Sequence, residues 1–130
     1  MTVTIYHNPS CSKSRQTLEI IKKKGIEPII IEYLKVPPTE NKIKEILTLL
    51  DYAPRDLMRQ KESAYTEFKL EDSSLSDDVL ISFMVKNPIL IERPIIISNN
   101  KVAIGRPPEK VLDILWSQFW IKGIEFANLV

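Results

Sequence analysis

The chain has 130 residues, 44% of them hydrophobic, and a formal net charge of +1. That is about one domain, with apolar content enough for a normal core. The near balance of charge excludes a dedicated nucleic-acid binder, and no apolar run approaches the roughly 18 residues of a membrane span.

The start, MTVTIYHN, lacks a basic segment followed by an apolar one, so no signal peptide is expected. Residues 2–7 read as a strand. From Ser12 to Lys24 the apolar positions Leu18, Ile20 and Ile21 share one helical face, and Gly25 suits the residue after the helix end. PIIIEYL, residues 28–34, is short and β-branched and reads as a second strand. Strand, helix, strand in this span is a βαβ unit, which predicts parallel pairing.

The middle reads as helical. Thr39 is placed to cap a helix carrying Ile43, Ile46, Leu47 and Leu50. Pro54 opens a short helix predicted to hold Arg55, Leu57, Met58 and Arg59. Ser76-Asp77-Asp78 caps another, with Val79, Leu80, Phe83 and Met84 expected inward and Asn87-Pro88 as its stop. The period then changes. PIIIS (94–98) and KVAIG (101–105) read as antiparallel strands joined at Asn99-Asn100, since asparagine tolerates positive φ. Pro107-Pro108-Glu109 opens a last helix with Val111, Leu112, Ile114 and Leu115 inward.

The layout is βαβ, a helical insert over about residues 38–88, then ββα. Without the insert this is the order of an α/β thioredoxin-like fold, a four-stranded mixed sheet flanked by helices, in one domain over residues 1–130. The tail WSQFWIKGIEFANLV, residues 116–130, is apolar and fits no motif; packing on the sheet, self-association and an altered reading frame stay open for it.

Cys11 is the only cysteine, so it forms no internal disulfide, and the expected setting is the reducing cytoplasm. It falls at the strand-to-helix turn. In the first turn of a helix it would face free backbone N–H groups and the positive end of the helix dipole, both of which favour thiolate. An inert buried cysteine is the alternative, and the strand–turn–helix placement favours the reactive reading. Ser14 stands where a C-x-x-C motif has its resolving thiol. Its hydroxyl either donates to a thiolate or oxyanion, or caps the helix. It forms no disulfide, so any disulfide at Cys11 is resolved by a thiol from outside.

Only five of the 18 basic residues are arginine: Arg15, Arg55, Arg59, Arg93 and Arg106. A guanidinium grips an oxyanion in a bidentate fork that lysine cannot copy. Arg15 lies four residues after Cys11, and a Cys-x5-Arg phosphate loop is excluded because that place is Thr17. Arg93 and Arg106 each precede a proline at a predicted strand end, where a cis-proline beside the cysteine would hold Arg93 near the thiol. Arg59 projects from the insert. Taken singly, each suits a surface salt bridge; converging on a thiolate they make a pocket for a small dianion. His7 either tunes the thiolate as a nearby cation or makes a structural hydrogen bond in the turn. His7 and Cys11 are too few for a metal site, and Gly25, Gly105 and Gly123 form no nucleotide-binding loop.

IYHNPSCSKSRQTL, LMRQKE, ERPIII and IGRPPEKVLDIL, in this order, resemble the glutaredoxin-coupled arsenate reductase family, and more closely its arsenate-reductase-like subgroup. The resemblance covers roughly residues 2–115. It implies Cys11 as nucleophile, Arg59, Arg93 and Arg106 as oxyanion ligands, and His7, Ser14 and Arg15 as supporting residues. It further implies a thiol–arsenate adduct at Cys11, glutathione as thiol co-substrate with no bound cofactor, and glutaredoxin as partner in releasing arsenite. Ser12-Lys13 and LMRQKE depart from the best-known arsenate reductases and are typical of the subgroup. Two other functions remain open: a glutathione-dependent reductase of another substrate using the same Cys11, and a non-catalytic regulator that binds RNA polymerase. Against the second stands Ser14, which removes the C-x-x-C switch of such regulators.

Overall fold

A computed structural model describes residues 2–115, and the expectations for the tail, residues 116–130, lie outside the described residues. Two compact units make up the chain. One holds Met1–Ile31 and the chain from Arg93 onward, and the other holds Glu32–Glu92.

The first unit carries the sheet. The period-two pattern of VTIYH gives β1 (Val3–His7), whose Val3, Ile5, Tyr6 and His7 are buried. The turn after it feeds α1 (Ser12–Lys23), which ends at Lys24 and is followed by Gly25 at φ +77°, the left-handed residue its place predicts. β2 spans Ile29–Glu32, shorter than PIIIEYL suggested, because Tyr33 to Lys35 turn away and the Lys35 N–H bonds back to the Glu32 carbonyl at 2.9 Å. β3 (Ile95–Ser98) and β4 (Lys101–Ile104) are joined by Asn99 and Asn100 at φ 48° and 61°, the two positive values a tight hairpin turn requires. The mixed sheet has the order β2–β1–β3–β4. β3 runs antiparallel to β1, with Ile5 opposite Ile96, and antiparallel to β4, with Ile96 opposite Ala103. This is the expected α/β thioredoxin-like arrangement.

The core of this unit joins Val3 and Ile5 of β1, Ile21 of α1, Ile96 and Ala103 of the hairpin, and Val111, Ile114 and Leu115 near its end. Burying one such aliphatic side chain contributes about 1.5–3 kcal/mol. A 3-10 turn, Pro108–Val111, opens the last helical stretch, residues 112–115, so the helix expected after Pro107 begins a few residues late.

The second unit is helical. α2 (Glu40–Leu50) is capped by Thr39, whose hydroxyl accepts from the Lys42 N–H at 3.1 Å, and it buries Ile43, Ile46 and Leu47. A 3-10 turn, Pro54–Leu57, stops before Met58 and Arg59, which were expected inside it. Met58 instead forms an antiparallel bridge with Ile91, while the Arg59 N–H donates to Leu90 O at 2.7 Å and the Glu92 N–H to Leu57 O at 2.8 Å. α3 (Ser63–Glu67) was not anticipated. α4 (Asp77–Lys86) is capped by Ser76 and packs on α2. Its buried face is Leu80, Ile81 and Met84, and Val79 points outward, 39% exposed, because the inward stripe starts one residue later than expected.

Candidate active site

The carboxyl end of β1 and the first turn of α1 build the site. Cys11 is the N-cap of α1, in extended conformation at φ −96° and ψ 122°. Its side chain therefore sits at the open end of the helix, where the first N–H groups have no intrahelical acceptor. The thiol is 8% exposed. Burial alone would push its pKa up, but the Ser14 N–H, the Arg93 charge, the Lys13 N–H and the Arg106 charge, in that order, pull it down, and it ends below the ordinary thiol value. Arg106 makes the direct contact, its Nη2 lying 3.7 Å from Cys11 Sγ. A lowered pKa raises the thiolate fraction at a given pH, and thiolate is the form that a nucleophilic cysteine needs.

The turn carrying Cys11 is braced by Asn8, which the sequence reading did not single out. Its carbonyl accepts the Cys11 N–H at 3.0 Å, its Oδ1 accepts the Ser10 N–H at 3.0 Å, and its own N–H donates to Ser14 Oγ at 3.0 Å. The sequence signal was an asparagine just after a strand and before a proline, where its side chain closes a turn two residues on. Ser14 neither caps α1 nor offers its hydroxyl to the thiol. That hydroxyl is fully buried between His7 Nδ1 and the Asn8 N–H. His7, buried at 6% exposure, makes the structural hydrogen bond in the turn that was one of its two readings.

The arginines sort by what they hold. Arg15 is exposed and donates through Nη1 to Pro9 O at 2.8 Å, closing the Cys11 turn from its outer side. Arg55 is occupied by main-chain carbonyls, Leu70 O at 3.0 and 3.1 Å and Asp72 O at 2.7 Å. Arg59 pairs with Glu62 at 3.1 Å within the helical unit. Arg93 and Arg106 are the two whose charges act on Cys11, and Arg106 Nε donates to Arg93 O at 2.8 Å. The peptide bonds Arg93–Pro94 and Arg106–Pro107 are both cis.

Arg106 is seated by its neighbour. The Gly105 N–H donates to Pro94 O at 3.0 Å, and the Arg106 N–H donates to Ile104 O at 2.8 Å. A Cβ on Gly105 would collide with Thr17 Oγ1 and lie 2.7 Å from Pro94 Cγ. Thr17 has no room to yield: it is fully buried and its hydroxyl donates to Lys13 O at 2.8 Å. The sequence showed Gly105 only as one of three glycines. Among the described residues, no group of three or more His, Cys, Asp or Glu is placed to hold a metal ion. Nor is any helix there long and apolar enough to cross a membrane.

A buried thiol with a lowered pKa, on which two arginine charges act, is chemically suited to attack an electrophilic centre that carries negative oxygens. The family model described as the ArsC family matches residues 6–114. The chain belongs to the ArsC family. It is 52% identical to the uncharacterized protein YfgD of Escherichia coli K12, over 87% of this chain and 96% of that protein. It is 43% identical to the arsenate reductase of the same organism, over 87% of this chain and 80% of the relative. The structure of an arsenate reductase from Vibrio cholerae superposes with a TM-score of 0.86 at 48% identity, covering 88% of this chain and 98% of that one. The ArsC match spans Cys11, Arg59, Arg93 and Arg106, the residues on which the resemblance rested.

Proposed function

We propose that this ArsC-family chain is a thiol-dependent oxidoreductase that reduces arsenate to arsenite through Cys11. The observation that carries the reading is the Arg106 guanidinium 3.7 Å from a thiol whose pKa is lowered. The Cys11 thiolate attacks arsenic, an arsenate oxygen leaves as water, and a sulfur–arsenic bond forms. A second thiol then forms a sulfur–sulfur bond, and the electron pair of the broken sulfur–arsenic bond takes As(V) to As(III). The balance is one arsenate and two thiols to one arsenite, one disulfide and one water.

Arg93 and Arg106 neutralise the dianion as the thiolate approaches and hold the charge of the adduct. Arg59 is assigned as the third oxyanion ligand by the family resemblance. Ser14 cannot resolve the adduct, so the second thiol comes from outside. Glutathione, with glutaredoxin reducing the mixed disulfide, fills that role and places the reaction in the cytoplasm. The test is NADPH consumption with glutathione, glutathione reductase, glutaredoxin and arsenate. Turnover that vanishes in Cys11→Ser supports the reading, and substantial turnover by that variant sinks the mechanism.

A second reading keeps the same thiol but another substrate. It is favoured by the higher identity to the uncharacterized protein than to the arsenate reductase, 52% against 43%. Cys11-dependent reduction of a glutathione mixed disulfide, with no response to arsenate, would select it.

A further inference from the structure

The turn that delivers Cys11 to α1 lies wholly in the unit that carries the sheet. Its main chain closes it, and two side chains then hold it again. The Cys11 N–H donates to Asn8 O at 3.0 Å, which makes residues 8–11 a four-residue turn with Pro9 and Ser10 at its centre. Asn8 Oδ1 accepts the Ser10 N–H at 3.0 Å. Arg15 Nη1 donates to Pro9 O at 2.8 Å. Pro9 O and the Ser10 N–H are the two ends of one peptide unit. That unit is gripped at both poles, by a side chain from before the cysteine and by one from after it. Arg15 is itself registered on Cys11, because its own N–H donates to Cys11 O at 3.0 Å.

We propose that Asn8 and Arg15 are positioning residues for the nucleophile, which together lock the Pro9–Ser10 peptide and through it the placement of Cys11 at the head of α1. This rests on the reading that Cys11 is the reacting thiol. The proline ring already fixes φ at Pro9. The bond from the Cys11 N–H sets the span of the turn. What stays soft is rotation of the central peptide, the motion that separates the common turn types. With that rotation free, Cys11 takes a spread of directions. Its sulfur then spends less time on the Ser14 and Lys13 N–H groups that favour the thiolate. Both side chains thus act on the reaction through the backbone. Two of the Asn8 bonds, to the Cys11 N–H and to Ser14 Oγ, use its main chain, so shortening the side chain releases the peptide and keeps the rest of the turn.

The test is the pH profile of Cys11 alkylation by iodoacetamide, read beside urea unfolding. Asn8→Ala moves the midpoint up by roughly half a pH unit, the size expected when hydrogen bonds to a charged group are loosened and not lost. Asn8→Ser restores a side-chain acceptor and recovers part of the shift. Arg15→Met moves the midpoint the same way, and the double variant moves it by less than the sum, because both contacts hold one rotation. Thr39→Ala, which uncaps α2 in the other unit, costs stability and leaves the midpoint in place. A loss of stability in Asn8→Ala with an unmoved midpoint overturns the proposal, since the contact then only holds the fold. So do additive shifts, an equal shift in Thr39→Ala, or an Arg15→Met shift that vanishes at high salt, which is charge alone. An ordinary thiol profile in the unaltered protein overturns it as well. Arsenate turnover is scored separately. Its absence with the expected series removes arsenate as substrate and leaves the lock standing. Its presence with a failed series removes the lock alone.

Discussion

Arg106 Nε donates a 2.8 Å hydrogen bond to the main-chain oxygen of Arg93. One arginine of the pair therefore positions the other with its backbone carbonyl. With Arg106 tethered at Nε, its Nη2 reaches Cys11 Sγ at 3.7 Å. This tether gives the two arginines different mutational signatures.

Arg93→Ala removes a guanidinium but keeps the carbonyl that holds Arg106. Arg106→Ala removes the contact to the thiol. Both variants raise the pKa of Cys11, since both charges pull it down. Each weakens oxyanion binding about tenfold or more, the loss of a charge-assisted contact. The pH profile of iodoacetamide alkylation checks the first statement and phosphate protection the second. A profile that stays in place in both variants would show that the arginines do not act on the thiol.

The lowered pKa also makes stability depend on pH. The native thiol ionises at lower pH than the unfolded one, which titrates near about 8.5. As pH rises through the native pKa, the unfolded chain holds the extra proton and unfolding becomes harder. The stabilisation is complete above the unfolded pKa and is lost as pH falls through the native one. The stability difference between wild type and Cys11→Ser, from urea unfolding, should therefore shift toward wild type from pH 5 to pH 9. A difference that is flat across that range would contradict the shift.

How much of this could be read in advance divides by the range of the interaction. β1, α1, the Asn99-Asn100 hairpin and the caps Thr39 and Ser76 are local patterns of period, cap and turn, and the structure has them. The place of Cys11 at the start of α1 was legible for the same reason, since strand, turn and helix are consecutive in sequence. The misses are positions where packing between segments decides. Val79 was assigned inward by helical period and faces out. Met58 and Arg59 left the expected helix because Ile91 and Leu90 offered a bridge. Ser14 looked like a partner for the thiol, but its hydroxyl was taken by His7 and Asn8. Asn8 and Gly105 matter through contacts that no spacing along the chain displays.

Gly105→Ala tests the seat of Arg106. The added methyl meets Thr17 and Pro94, both held in place, so a backbone shift is the only relief. Overpacking of this kind costs about 1–3 kcal/mol. The shift also moves the residue next to Arg106, so the Cys11 alkylation profile should move toward higher pH. Thr17→Ala clears most of the obstruction, and the double variant should recover part of both losses. Unchanged stability and an unchanged profile in Gly105→Ala would show that the site absorbs the methyl.

Ser14→Ala separates two ways in which the residue after a lone cysteine turn can serve it. The hydroxyl is a buried link between His7 and Asn8, and its removal takes a partner from each, at a cost of about 1–3 kcal/mol in urea unfolding. The influence on the thiol comes from the Ser14 backbone N–H, which alanine also has. The variant should therefore be less stable while its Cys11 alkylation profile stays near that of wild type. A large upward move of the profile, with stability intact, would instead mean that the hydroxyl supports the thiolate directly. Ser14 would then be part of the reacting centre and not of the frame that holds it.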